Sequence, residues 1–145
     1  MKRRLLTGIL VLMAILCPAL IDYAIRGPRA RARRDELART LAAVEDPPDS
    51  RIIRTLSLYK TSQASAIRDL TSALSPKEVR SFYLSQLEPQ GWKIKCEHVI
   101  SNRDRIYLVD DEDSVLLVLD LPNLDSPTTG QYYLELSWGL VYGDC

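Results

Sequence analysis

The sequence predicts an α+β fold in which an N-terminal transmembrane helix precedes one main helix packed on an antiparallel β-meander. Three observations lead to this prediction. A long uncharged apolar run begins at Leu5, an amphipathic helix with a marked start follows Ser75, and strand-like segments separated by short polar turns follow Trp92. The chain has 145 residues, 46% of them hydrophobic, so it has room for one modest domain behind the N-terminal segment.

The charges are distributed unevenly along the chain. Residues 1–50 carry nine Lys/Arg against six Asp/Glu, whereas residues 51–145 carry ten against thirteen. A mildly acidic domain behind a basic leader argues against nucleic acid as a partner, because phosphate binding requires clustered positive charge. The basic residues adjoin the apolar run, where anionic lipid head groups would meet them.

Residues 1–25 are predicted to be an uncleaved signal-anchor. The uncharged run from Leu5 to Ile21 has three basic residues before it and Asp22 after it. As a helix it covers about 26 Å, slightly less than a hydrocarbon core of about 30 Å. The lipid bilayer is therefore the first expected partner, contacted through residues 5–21.

Two other fates of this segment remain open. A cleaved secretory signal would use the small residues around Cys17 and Ala19, but Pro18 and the apolar residues that follow make a weak site. Lipid attachment at Cys17 would require a small residue directly before it, and Leu16 stands there.

The orientation of the chain in the membrane has conflicting signals. Six arginines follow the apolar run closely, and the positive-inside rule would keep them, with the domain, in the cytoplasm. They are Arg26, Arg29, Arg31, Arg33, Arg34 and Arg39. The basic start Lys2–Arg4 instead resembles the beginning of an export signal. We expect a single-pass protein with an extracytoplasmic domain, the alternative being a cytoplasmic one.

The cysteines favour export. Cys96 lies in a predicted strand and Cys145 is the final residue, so a disulfide between them would fix the C-terminus to the sheet. Such a bridge requires an oxidising compartment. The alternative is a buried free thiol at Cys96 and a frayed tail at Cys145.

Residues 26–50 are predicted to form a basic helical stalk and a proline-containing linker. Leu37, Leu41 and Val44 recur at helical spacing, and Pro47-Pro48 ends the pattern. The apolar face is narrow and rich in alanine, which favours a solvated spacer over an amphipathic helix lying on the membrane surface.

Residues 51–145 are predicted to be the folded domain. Residues 51–60 read as a strand, and residues 61–74 fit either a helix or a strand. The helix after Ser75 is the clearest element, because Ser75 and Glu78 form a capping box, Pro76 occupies the first helical position, and Pro89 stops it.

The expected sheet follows directly. Its strands are Trp92–Ile100, Arg105–Val109, Val115–Leu121 and Gln131–Val141. Short turns join the first three, one of them the acidic run Asp110–Asp113, and a longer loop precedes the last. Consecutive strands joined by short turns predict an antiparallel meander with one face under the helix.

The segment TSALSPKEVRSFYLSQLEPQGW, residues 71–92, resembles a layout found in small bacterial membrane-anchored or exported α+β proteins of uncharacterised function. In that layout a Ser/Pro-capped helix with an aromatic pair ends in a Gly-Trp and a meander follows. The resemblance covers the helix and the first strands and implies an exported α+β domain. It brings no catalytic motif.

Catalytic chemistry has little support in the sequence. His98 is the single histidine, and it shares a strand face with Cys96, but no paired metal-ligand motif is present. Asp110–Asp113 lacks the ligand order of a calcium loop. No phosphate loop or nucleophile motif occurs. We therefore expect no enzyme activity, no metal and no cofactor.

Two functions from different classes fit these features. The first is a membrane-anchored envelope protein whose domain contacts another envelope protein, through an edge strand or through exposed aromatic side chains. The candidate aromatic residues are Tyr107, Tyr132, Trp138 and Tyr142. For any single one of them, packing in the sheet core or against a neighbouring strand is the simpler interpretation. The alternative is a small-molecule or lipid-binding domain with a pocket between the helix and the sheet.

Overall fold

A computed structural model describes residues 2–110, 114–125 and 130–139. Within residues 2–23 it describes the backbone, and side chains only at Cys17 and Ile21. The described residues form an α+β fold with a six-stranded antiparallel sheet, as the sequence predicts. The helices are α1 (Lys2–Ala43) and α2 (Pro76–Leu87), and a 3-10 turn follows at Glu88–Gln90. The strands are β1 (Arg51–Lys60), β2 (Gln63–Thr71), β3 (Lys93–Ile100), β4 (Arg103–Val109), β5 (Leu116–Pro122) and β6 (Gln131–Trp138).

The strand order in the sheet is β1-β2-β6-β5-β4-β3. The predicted meander is confirmed for β3 to β6. The segment that fitted either a helix or a strand is β2, which pairs with β1 on one side and with β6 on the other. Pairing on both sides decides its conformation, because its own sequence pattern does not. The connection through α2 then carries the chain from β2 to β3 at the far edge.

Both helices pack on the same face of the sheet. From α2, Val79, Tyr83 and Leu87 are buried against the leucines of β5 and β6. The capping box at Ser75 forms as predicted, with Ser75 and Glu78 bonded reciprocally. Helix α2 leads into the 3-10 turn, and Gly91 adopts a left-handed conformation at φ 94° that reverses the chain before β3.

Helix α1 differs from the predicted stalk. It is one helix to Ala43, and its last three turns belong to the core, where Leu37 and Leu41 are almost fully buried. The prediction of a solvated spacer is therefore wrong for this part of α1. The narrow, alanine-rich face is what allows the helix to approach β2 and β1 closely, and Ala30 is completely buried.

When only the described side chains are considered, which leaves out most of residues 2–23, no helix is long and apolar enough to cross a membrane.

Candidate functional site

The first candidate surface is the outer edge of β1, here called the β1 edge. β1 is ten residues long and lies at the end of the sheet, with β2 as its only neighbour among the described strands. Ile52, Ile53 and Leu58 on this strand are each about half exposed. A long edge strand with exposed apolar side chains offers unpaired backbone groups to another extended chain.

A groove of about 390 Å³ runs between α1 and this strand. It is defined by Ala38, Leu41 and Ala42 of α1, Ile52, Thr55, Leu56 and Ser57 of β1, and Ala66 and Arg68 of β2. Small side chains on α1 leave the space open. A strand added beside β1 would direct alternate side chains towards this α1–β1 groove, since residues two apart on a strand share a face.

The geometry of this groove is fixed by Arg68 of β2, which is buried. Its guanidinium donates to the carbonyl of Val44 at 3.0 Å and also to that of Leu41, at the C-terminal end of α1. A cation is favourable there, because the last carbonyls of a helix are unpaired and carry partial negative charge. Helix α1 has no basic residue of its own in its last turn, so Arg68 of β2 supplies the cation.

The same guanidinium holds Asp46 at 2.7 Å, and the hydroxyl of Tyr83 donates to that carboxylate at 3.1 Å. Burial raises the pKa of Tyr83 above its ordinary value, and the neighbouring Tyr132 adds to this effect. Tyr83 therefore stays a neutral donor. This network joins α1, β2 and α2, and it keeps the end of α1 at a set position on the sheet.

A second candidate surface lies a few turns earlier on the same helix, between residues 29 and 34. Four arginines of α1 stand over two aromatic rings of the sheet, and together these six residues are called the arginine cluster. Arg29 and Arg33 lie 5.5 and 5.9 Å from the ring centre of Trp138. Arg31 and Arg34 lie 5.6 and 5.0 Å from that of Tyr59. These distances are in the range of cation–π contacts.

The sheet face away from the helices carries a row of polar residues, one from each strand. In order across the sheet they are Arg54, Asp69, Tyr133, Asp120, Arg105 and His98, each paired with the next. Asp120 is fully buried and bonded to Arg105 at 2.5 Å, and Arg103 also donates to it. Arg54 and Asp69 form a second ion pair at 2.6 Å. The charged side chains of this row are thus neutralised by ion pairs with one another.

Glu135 lies on the same face of β6 as Tyr133. Burial raises the pKa of its carboxyl, and the nearby Arg105 opposes that shift. Burial also raises the pKa of Tyr133, and the negative charge of Asp120 adds to this shift. Both groups therefore favour their protonated forms more strongly than in water.

The aromatic residues predicted as an interaction surface do not come together. Tyr132 is buried between α2 and the sheet, while Tyr107 is buried on the opposite face, where His98 contacts its ring edge-on at 5.9 Å. Trp138 is half-buried beneath two arginines. Tyr142 lies outside the described residues. An exposed aromatic stripe is thus wrong for Tyr107 and Tyr132, since sheet packing covers both.

Of the two cysteines in the predicted disulfide, the structure describes one. Cys96 is half-buried on β3, opposite Tyr107, and Cys145 lies outside the described residues. Within the described part of the chain, Cys17 is the cysteine that is free, and it is exposed. The bridge between Cys96 and Cys145 stays a prediction.

Metal-binding side chains are not gathered in the described residues: no group of three or more His, Cys, Asp or Glu could hold an ion there. Asp110 accepts hydrogen bonds from the backbone of Ser114 and Val115, which orders the start of the β4–β5 turn. The rest of the acidic run, residues 111–113, lies outside the described part.

Sequence reasoning did not identify the α1–β1 groove or the arginine cluster as sites. The spacing of Arg29 and Arg33, and of Arg31 and Arg34, was a usable signal, because residues three or four apart share a helix face. Their aromatic partners come from β1 and β6, distant in sequence, and no local pattern links them.

Comparisons with protein-family models, with curated proteins and with solved structures found no match to this chain.

Proposed function

We propose that this protein is a membrane-anchored envelope protein whose extracytoplasmic α+β domain binds an extended segment of another envelope protein by strand addition at the β1 edge. The observation that carries the proposal is the ten-residue β1 at the end of the sheet, with half-exposed Ile52, Ile53 and Leu58, beside the α1–β1 groove. Backbone hydrogen bonds would give affinity, and the groove would select side chains.

The charge of β1 indicates which segment fits. Arg51, Arg54 and Lys60 make the strand basic, so the partner segment is expected to combine acidic and apolar residues. A second copy of the chain is a poorer occupant. Two β1 strands side by side would bring the positive charges of Arg51 and Lys60 of one copy next to those of the other, and like charges on adjacent strands are destabilising.

A binding role is favoured over catalysis because the charged groups on the sheet face away from the helices neutralise one another. Asp120 is fully buried between Arg103 and Arg105, and Asp69 is held by Arg54. The alternative of a ligand pocket between helix and sheet has less support. Val79, Tyr83 and Leu87 of α2 are buried in contact with the core there.

Membrane anchoring through residues 5–21 is part of the proposal. The apolar run and the core-packed end of α1 are parts of one helix. The domain would therefore be held close to the bilayer by a rigid connection. A partner segment would meet the β1 edge near the membrane surface.

The proposed bridge from Cys96 to Cys145 fits the topology. Strands β6 and β3 are three strand spacings apart, which is about 14 Å. The six residues after Gly139 can span about 20 Å when extended. A bridge is thus within reach of the chain, and it would place the domain in an oxidising compartment.

The test is site-specific cross-linking in intact cells that express the full chain. A photo-reactive residue replaces Ile53 on the β1 edge, and in a separate protein it replaces Val99, which is exposed on the opposite edge strand, β3. We expect one partner to be captured from Ile53, joined through a segment with acidic and apolar residues. Capture of the same partner from Val99 in equal yield would contradict the proposal.

Matched charge variants complete the test. Leu58→Glu, with the photo-reactive group retained at position 53, should reduce capture at least about tenfold, because it removes apolar contact and adds a charge. Ile100→Glu is the same kind of change on β3, at a similarly exposed side chain, and should leave capture unchanged. Equal effects of the two variants would exclude strand addition at β1.

A further inference from the structure

We propose that the arginine cluster binds the phosphate groups of anionic phospholipids at the membrane surface. This inference rests on the proposed membrane anchoring and names a second binding surface of the same domain. Three features of the cluster support this inference. They are its position along α1, its positive charge, and the two aromatic rings that the sheet contributes.

The first arginines of the cluster, Arg29 and Arg31, lie within side-chain reach of the head-group layer. Arg29 is eight residues beyond Ile21, the end of the apolar run, so it lies about 12 Å further along the helix axis. Side chains on an α-helix point back towards its N-terminus, which brings the guanidinium groups closer to the bilayer. The polar layer on each side of the hydrocarbon core is about 5–8 Å thick. Long arginine side chains can reach it.

The sheet reaches the same level. Gly27 and Ala30 of α1 are buried, so contact with the sheet begins less than two turns beyond the apolar run. Tyr59 and Trp138, at the ends of their strands, therefore stand beside the arginines. Tyrosine and tryptophan are the side chains typical of the membrane interface, with an apolar ring and one polar group.

The charge of this region is positive. Residues 26–36 contain five arginines against Asp35 and Glu36, and Lys60 stands next to Tyr59 at the end of β1. The two acids are each bonded to an arginine, Arg34 to Asp35 at 2.6 Å and Arg33 to Glu36 at 2.8 Å. Asp110, directly after β4, lies at the same end of the sheet, but β4 is two strands beyond β6. The positively charged side of the domain is thus the side where α1 packs on the sheet.

A notch of about 360 Å³ beside Arg31 and Tyr59 of the cluster is large enough for one lipid head group. It is lined by Ala24, Gly27, Pro28, Arg31, Ala32, Asp35 and Tyr59. Arg31 donates to the hydroxyl of Tyr59 at 3.1 Å, so two polar groups converge at one end of the notch. Exposed Ile21 and Ile25 continue from it towards the membrane, on the side where acyl chains would lie.

The test uses the full chain reconstituted in vesicles made of equal parts phosphatidylglycerol and phosphatidylcholine. The protein is extracted gently, and the ratio of the two lipids that remain bound is measured by mass spectrometry. We expect phosphatidylglycerol to be enriched several-fold. Arg29→Gln with Arg31→Gln should remove most of this enrichment, because each basic side chain near the surface adds to the attraction of anionic lipids. Arg29→Lys with Arg31→Lys should retain it.

Lys77→Gln with Lys95→Gln is the control, since it removes the same charge at exposed positions away from the cluster and from the β1 edge. Equal loss in both double variants, or no loss in the first, would overturn the inference. Displacement of the lipid by millimolar inorganic phosphate would also overturn it and indicate a site for small anions. A chain that is not retained by the vesicles at all would refute the proposed anchoring instead.

Discussion

The guanidinium of Arg68 lies 2.7 Å from the carboxylate of Asp46, and both groups are held at the point where α1 ends. Arg68 also bonds the carbonyls of Leu41 and Val44, so one buried cation closes the helix and attaches it to β2. This relationship fixes the C-terminal end of α1 on the sheet.

Replacing Arg68 with alanine should destabilise the domain strongly. The change leaves Asp46 and two helix carbonyls without their cation in a buried position, and breaking a buried ion pair costs about 3–5 kcal/mol. The free energy of unfolding, measured by urea denaturation in detergent, tests this prediction. Lys77→Ala is the control, because the ion pair of Lys77 with Asp125 is exposed and should contribute at most about 1 kcal/mol. Similar losses in the two variants would contradict the role of Arg68.

Replacing Ser75 with alanine should weaken the start of α2. Ser75 caps the helix and completes the reciprocal bonds with Glu78, and loss of such a cap costs about 1 kcal/mol. Hydrogen bonds from the side chain and backbone of Ser75 lower the pKa of Glu78. The contribution of ionised Glu78 to the stability of the domain is therefore present above the ordinary pKa of 4.5 and is lost as the pH falls. Melting curves at pH 7 and pH 3 test this, and a Ser75→Ala deficit that grows at low pH would contradict it.

Replacing Glu135 with glutamine should stabilise the domain at neutral pH. Burial raises the pKa of Glu135, so its effect on stability is favourable below the ordinary pKa of 4.5 and is lost as the pH rises through the raised pKa. The variant should melt at a higher temperature than the unmodified protein at pH 7 and at a similar temperature at pH 4. Glu88→Gln, at an exposed position, is the matched control. The same pH-dependent gain in both variants would exclude burial of Glu135 as the cause.

Replacing Cys96 and Cys145 with serine should lower the melting temperature of protein recovered from its native compartment. A bridge closing this loop contributes up to about 4 kcal/mol through the unfolded state. Alkylation of the intact protein before reduction, followed by mass measurement, provides the direct check. We expect an uncleaved chain with one labelled thiol, Cys17. Three labelled thiols would contradict the bridge and favour a cytoplasmic domain, and a shortened or lipid-modified mass would contradict the uncleaved anchor.

The elements that the sequence predicted correctly have strong local signals. The start of α2 follows from Ser75 and Glu78, which satisfy the free backbone groups of the first turn within four residues of chain. The hairpins β3–β4 and β4–β5 follow from short turns between strands, which leave antiparallel neighbours as the simplest arrangement. These interactions lie close together in the sequence, so they can be recognised there.

The two candidate surfaces could not be found in the same way. The α1–β1 groove depends on β2 lying between β1 and β6, and the segment that forms β2 has no decisive pattern of its own. The arginine cluster depends on Tyr59 and Trp138 meeting α1 between residues 29 and 34. Both surfaces arise from contacts between residues far apart in the chain.

The sequence by itself determined the fold class, the capped helix and the meander, because local hydrogen bonds and alternating side chains specify them. Only the tertiary structure decided that the end of α1 belongs to the core, that β1 and β2 extend the sheet beyond β6, and that six polar residues form one row across it. The physical reason is that long-range strand pairing and the burial of Arg68 select one packing among many that local patterns allow.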